Sequence, residues 1–112
     1  MNIDWAKELD ASITICDKEG VIIYMNDKSI ETFQDDGGEK LLNTNLLDCH
    51  PEPSRSKLID LLENKKSNCY SIEKNGIKKL IFQTPFFDNS IYAGFFEISI
   101  ELPSQMNHFI RG

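Results

Sequence analysis

The stretch Asp17–Asn26, DKEGVIIYMN, decides how this chain is read. Its acidic opening and Gly20 form a turn signal, because glycine supplies the positive φ that a tight turn needs. The run VIIYM at 21–25 is rich in β-branched and aromatic residues and predicts a strand. Before the turn, SITIC at 12–16 carries alternating Ile13 and Ile15, a second strand signal. Together the two runs predict a β-hairpin.

Downstream, DKSIETFQ at 27–34 spaces Ile30 and Phe33 one helical turn apart, and Asp27 suits the positive end of a helix. The glycines of DDGG at 35–38 end it, and EKLLNTNLLD continues as a short helical or irregular piece. In DCHPEPSRSK at 48–57, the prolines push His50 and Glu52 toward extended geometry, and Ser54 reads as the N-cap of RSKLIDLLEN. Leu58, Ile59, Leu61 and Leu62 give that helix an apolar stripe. The final third has a period of two: CYSIEK at 69–74, the hairpin signal Asn75-Gly76, IKKLIFQTPFF at 77–87, the turn DNS, and IYAGFFEISIEL at 91–102. Pro85 marks a bulge, an edge or a strand end. In the last strand Phe96, Ile98 and Ile100 alternate with Glu97, Ser99 and Glu101. Upstream, Trp5 and Leu9 stand four apart in 2–10, which predicts an N-terminal helix within 1–10, and the tail at 103–112 shows no period. The order predicts an α+β domain over 11–102, an antiparallel sheet with helices packed on one face.

Composition bounds the function. The 112 residues suffice for one domain with a real core, at 40% hydrophobic and 27% charged content. A net charge of −6 works against binding nucleic acid or anionic lipid. Asp4, Glu8 and Asp10 interrupt any apolar signal segment, and VIIYM and IYAGFF are too short to cross a bilayer. Cys16, Cys49 and Cys69, odd in number and lacking CxxC spacing, read as free thiols in a reducing compartment, so a soluble cytoplasmic protein is expected.

The element order and particular residues resemble the PAS domain. The resemblance rests on Asp17-x-x-Gly20-x-Ile22-x-Tyr24-x-Asn26, on the three-strand meander, and on Tyr92-Ala93-Gly94-Phe95-Phe96, and it covers about 10–102. It departs from the family at the C-terminus, where SIELP replaces the usual Asp-Ile-Thr-like ending. The resemblance implies a five-stranded antiparallel sheet of order 2-1-5-4-3 with helices across one face enclosing a pocket. It further implies a non-enzymatic sensory module that binds a small apolar or planar ligand, or that only mediates protein contacts, acting through homodimerisation or a signalling partner.

The candidate chemistry follows from that frame. Cys49 and His50 are adjacent, so in extended chain they point apart and do not form a nucleophile–base pair; no catalytic residue is assigned. A closed zinc site would need the three cysteines and a histidine to converge from separate elements, which their spacing does not support, and no metal ligand is assigned. Haem needs only one or two axial donors, which makes His50 or Cys49 a candidate for it. No Asn-Cys-Arg-Phe segment of flavin photosensors surrounds any cysteine. Ile23, Met25, Phe33, Phe82, Phe86, Phe96 and Ile98 are expected on or near the helix-facing side of the sheet, as solid core or as pocket wall. The expected ligand site comprises Met25, Ser29, Phe33, Cys49, His50, Phe82, Phe96 and Ile98, with Gln83 a further polar anchor.

Overall fold

A computed structural model describes residues 4–112. Five strands, β1 (Ser12–Asp17), β2 (Ile22–Met25), β3 (Asn68–Lys74), β4 (Ile77–Asp88) and β5 (Ile91–Leu102), form one antiparallel sheet in the order β2-β1-β5-β4-β3. Between β2 and β3 lie helix α1 (Asp27–Thr32), three 3-10 segments (Gln34–Asp36, Gly38–Leu41 and Leu46–Cys49) and helix α2 (Ser54–Asn64). The expected topology is the observed one.

The opening hairpin forms as its residues dictate. Asp17 Oδ1 accepts from the backbone N–H of Glu19 (2.9 Å) and Val21 (3.0 Å), and Gly20 takes a φ of 92°. Two other turns need positive φ without such help: Asn75-Gly76 joins β3 to β4, and Asn89-Ser90 joins β4 to β5, with φ of 50° and 68° at the latter pair. Pro85 lies beyond Asn68–Gln83, the last β3–β4 pair, where β4 has only β5 beside it and a missing N–H is tolerated.

Asn26 ties the sheet to the first helix. Its side chain is 0% exposed; Oδ1 accepts from Ile13 N (2.9 Å) and Ser29 N (3.0 Å), and Nδ2 donates to Ala6 O and Ala11 O (both 2.8 Å). All four hydrogen-bonding positions of the amide are thus used inside the protein. This arrangement also explains a difference from the expected N-terminal helix: residues 4–10 form a turn closed by Leu9 N to Ala6 O (3.3 Å). The carbonyls of Ala6 and Lys7 are committed to Asn26 Nδ2 and Asp27 N instead of to a helical ladder. The remainder of that expected helix, 1–3, lies outside the described residues.

At α2 the cap differs from expectation. Ser54 is the first helical residue, and the Glu52 carboxylate accepts from the N–H (2.8 Å) and hydroxyl of Ser56. The longer acid reaches the first-turn donors that Ser54 was expected to cap. Leu58, Leu61 and Leu62 then pack with Cys16 and Phe95 into the main core cluster, flanked by Leu46 and Leu47.

The two faces of the sheet are the largest departure from the sequence reading. Phe95 packs under α2, so the alternation of β5 puts Glu97 and Ser99 on the helix side and Phe96, Ile98 and Ile100 on the far side. Register carries this across the sheet: Phe82 pairs with Ile98, and Phe86 meets Phe96 at 6.3 Å between ring centroids. Phe82, Phe86, Phe96 and Ile98 therefore point away from the helices, and Ile23 is exposed. Alternation identifies which residues share a face but does not say which face receives the helices. A shift at Phe86/Phe87, where Gly94 pairs with Phe86 but Tyr92 with Phe87, reverses the parity and turns Tyr92 toward α2. Its hydroxyl donates to Leu62 O at 3.0 Å.

Replacing Asn26 by Ala leaves several buried backbone groups unpaired, at roughly 1–3 kcal/mol each. Urea denaturation of N26A is expected to show a loss of about 3 kcal/mol or more; a loss below about 1 kcal/mol would contradict the role assigned to this side chain.

Candidate ligand cavity

A cavity of about 130 Å³ lies between the sheet and the helical segments. The sheet contributes Thr14 and Cys16 from β1, Ile22 and Met25 from β2, and Gln83, Phe95 and Glu97 from β4 and β5. The opposite wall is Phe33 at the end of α1, Asp36 and Leu41 from the 3-10 segments, Leu46, Cys49 and His50 ahead of α2, and Leu58 within it. These elements meet there because the loop 43–46 docks on the hairpin: Ile22 N donates to Thr44 O (2.9 Å) and Leu46 N to Gly20 O (2.9 Å). Asn45 reinforces the docking by donating from Nδ2 to Glu19 O (3.0 Å).

Of the expected ligand-site residues, Met25, Phe33, Cys49 and His50 line this cavity. Ser29, 0% exposed, lies beside it with its hydroxyl bonded to Thr14 Oγ1 at 2.5 Å. Phe96 also lines the cavity, although the alternation of β5 sends its ring to the far face, where it meets Phe86. Phe82 and Ile98 are not brought to it, for the same reason of parity. Gln83, expected as a polar anchor, is in the wall.

The residue that sequence reasoning missed is Glu97, which sits in the strand where the sequence pattern had set it opposite the apolar stripe. Its one signal was Phe95-Phe96, a pair that puts an apolar residue on each face and so warns that either face could be the covered one. Across the sheet, Asn68 Nδ2 donates to Gln83 Oε1 (3.0 Å) and Gln83 Nε2 donates to Glu97 Oε1 (2.9 Å). Burial pushes the Glu97 carboxyl above the usual carboxylate range, against the opposing pull of the Gln83 hydrogen bond and of His50.

The remaining groups have narrower chemistry. His50 Nδ1 lies 2.6 Å from Leu46 O; a carbonyl only accepts, so Nδ1 carries a proton and Nε2 is the ring's open position. Cys16 is buried and its thiol is pushed up to about 11 by desolvation, which leaves it a packing residue and not a nucleophile. Cys49 and Cys69 are exposed free thiols. Among the described residues no group of three or more His, Cys, Asp or Glu side chains is placed to hold a metal ion. His50 and Cys49 are suitable donors for haem, but a four-pyrrole macrocycle does not fit a cavity near the roughly 150 Å³ that accommodates benzene.

No family model and no curated protein sequence matches this chain. Solved structures do. A C-terminal domain from Streptococcus mutans superposes with a TM-score of 0.71 at 17% identity, over 86% of this chain and 78% of the other. The PAS domain of histidine kinase ThkA gives 0.64 at 21% identity, over 82% and 99%. The Aer2 receptor from Vibrio cholerae, described as a dual PAS-heme oxygen sensor, gives 0.61 at 14% identity, over 83% and 95%. With the strand order above, these likenesses establish that the chain has the PAS fold.

Because the Glu97 pKa is raised by folding, its contribution to stability is fully present below the unfolded value and is lost as pH rises through the folded one. Glu97→Gln is therefore expected to be more stable than the parent at neutral pH, with the gap closing toward acid. Urea midpoints measured from pH 4 to pH 8 check this; a gap that stays constant with pH would count against a buried, burdened carboxyl.

Proposed function

We propose that this chain is a non-enzymatic sensory module of PAS type, working in the cytoplasm, that takes one small, mainly apolar ligand between sheet and helices. Occupancy passes to a second copy or to a signalling partner. The observation that carries the reading is the cavity, a space of about 130 Å³ whose walls are mostly apolar. The resemblance in fold to a histidine kinase PAS domain and to a receptor supports a role in signalling. A ligand would shift the module only as far as its affinity differs between two arrangements, and the 3-10 segments that roof the cavity are the elements best suited to differ.

Ring-sized probes such as toluene are expected to raise the melting temperature. At about a hundredfold excess over Kd the stabilisation is about 2.7 kcal/mol, which for a chain of this size is roughly 10 °C or more. Leu41→Trp, which fills the cavity, is expected to abolish the shift. Absence of any shift with the parent protein would favour a purely interacting domain.

That second reading has its own observation. On the far side of the sheet Phe82 and Ile100 remain 37% and 41% exposed, with Ile98 beside them, an apolar face suited to a second copy or a partner. Sedimentation at micromolar concentration is expected to give a dimer for the parent and a monomer for Phe82→Asp; a monomeric parent would remove the sheet face as a homodimer contact.

A further inference from the structure

The polar side of the cavity has a direction. In the ladder Asn68–Gln83–Glu97 each amide donates toward Glu97, and the ladder ends on Glu97 Oε1. The second carboxylate oxygen, Oε2, has no hydrogen-bond partner among the described residues, and Glu97 lines the cavity. Across from β5, His50 donates from Nδ1 to Leu46 O, so in the neutral ring its remaining nitrogen, Nε2, is also an acceptor. The Thr14 hydroxyl is already engaged with Ser29. A second carboxylate, Asp36, borders the cavity, and neither lysine nor arginine lines it.

With the His50 ring neutral, the cavity presents open acceptors and negative charge that neither lysine nor arginine offsets. Neither Glu97 Oε2 nor His50 Nε2 is wholly buried, so water can satisfy both. A ligand that displaces this water leaves an acceptor unpaired unless it brings a donor, at a cost that is higher for a carboxylate in an apolar wall. A ligand that supplies donors removes that cost, whereas an anion adds to it. We infer that the cavity selects a ring-sized ligand carrying an N–H donor, cationic where its nitrogen is basic, which bonds to Glu97 Oε2. This rests on the ligand reading above and specifies its chemistry. The raised carboxyl of Glu97 agrees with it, since a group burdened by burial gains most from a counter-charge. The size follows from the volume, which is close to that of an apolar cavity known to take benzene.

The test is a matched series of single-ring probes measured by titration calorimetry on the intact chain: benzamidine, benzamide, toluene and benzoate. Benzamidine is expected to bind about tenfold to a hundredfold more tightly than toluene, the range of one hydrogen bond to a charged group, and benzoate more weakly than either. In Glu97→Gln the ratio of benzamidine to toluene affinity is expected to fall at least about tenfold. The His50→Ala variant tests the second acceptor and is expected to lower the ratio less. If toluene or benzoate binds as well as benzamidine, or if Glu97→Gln leaves the ratio unchanged, the donor preference is overturned while the ligand reading stands. If none of the four probes binds at millimolar concentration, the ligand reading and this inference are both overturned.

Discussion

Asn26 is the interaction on which the rest of this structure depends. One buried amide holds the start of β1 through Ile13, the N-terminal turn through Ala6 and Ala11, and the first turn of α1 through Ser29. Because a buried amide group is stabilising only when its partners are all in place, these segments must be positioned together or not at all. From that point α1 is held over the sheet: Ser29 bonds Thr14, and Phe33, one turn on, becomes part of the cavity roof. The 3-10 segments that follow inherit this position.

A second constraint is close packing at Gly94. A Cβ there would overlap the carbonyl oxygen of Cys16 and the ring of Phe86, so only glycine allows β5 to lie this close to β1. Immediately beyond it the irregularity at Phe86/Phe87 sends Tyr92 toward α2, where it bonds Leu62. The core of Cys16, Phe95 and the α2 leucines closes one end of the interface between layers. The other end, under the short 3-10 turns, has no long helix to supply a continuous row of side chains, and the cavity lies there.

Placing a carboxylate in that space has opposing consequences. Desolvation disfavours its charge, while the Gln83 amide and the nearby imidazole favour it. The result is a carboxyl held between opposing influences, in a wall that is mostly apolar. In the proposed ligand site such a group would confer selectivity more than affinity, because a mismatched guest would leave it unpaired.

Local features of the fold were legible from residues alone. Asp17 and Gly20 specify the hairpin turn by their own hydrogen bonds and backbone freedom, Asn75-Gly76 specifies the meander's first turn by backbone freedom alone, and the leucines at 58, 61 and 62 mark the buried stripe of α2. The place of Met25, Phe33, Cys49 and His50 in the cavity wall was also legible, because each belongs to an element whose place follows from the strand order. The sequence by itself determined the five strands, α2, their order and, within each regular stretch, which side chains share a face, since these depend on neighbours two to four residues away. Only the tertiary structure decided which face of the sheet the helices cover. That choice turned Phe82 and Ile98 outward and Glu97 inward, and it depends on contacts between β5 and α2, which lie some thirty residues apart along the chain.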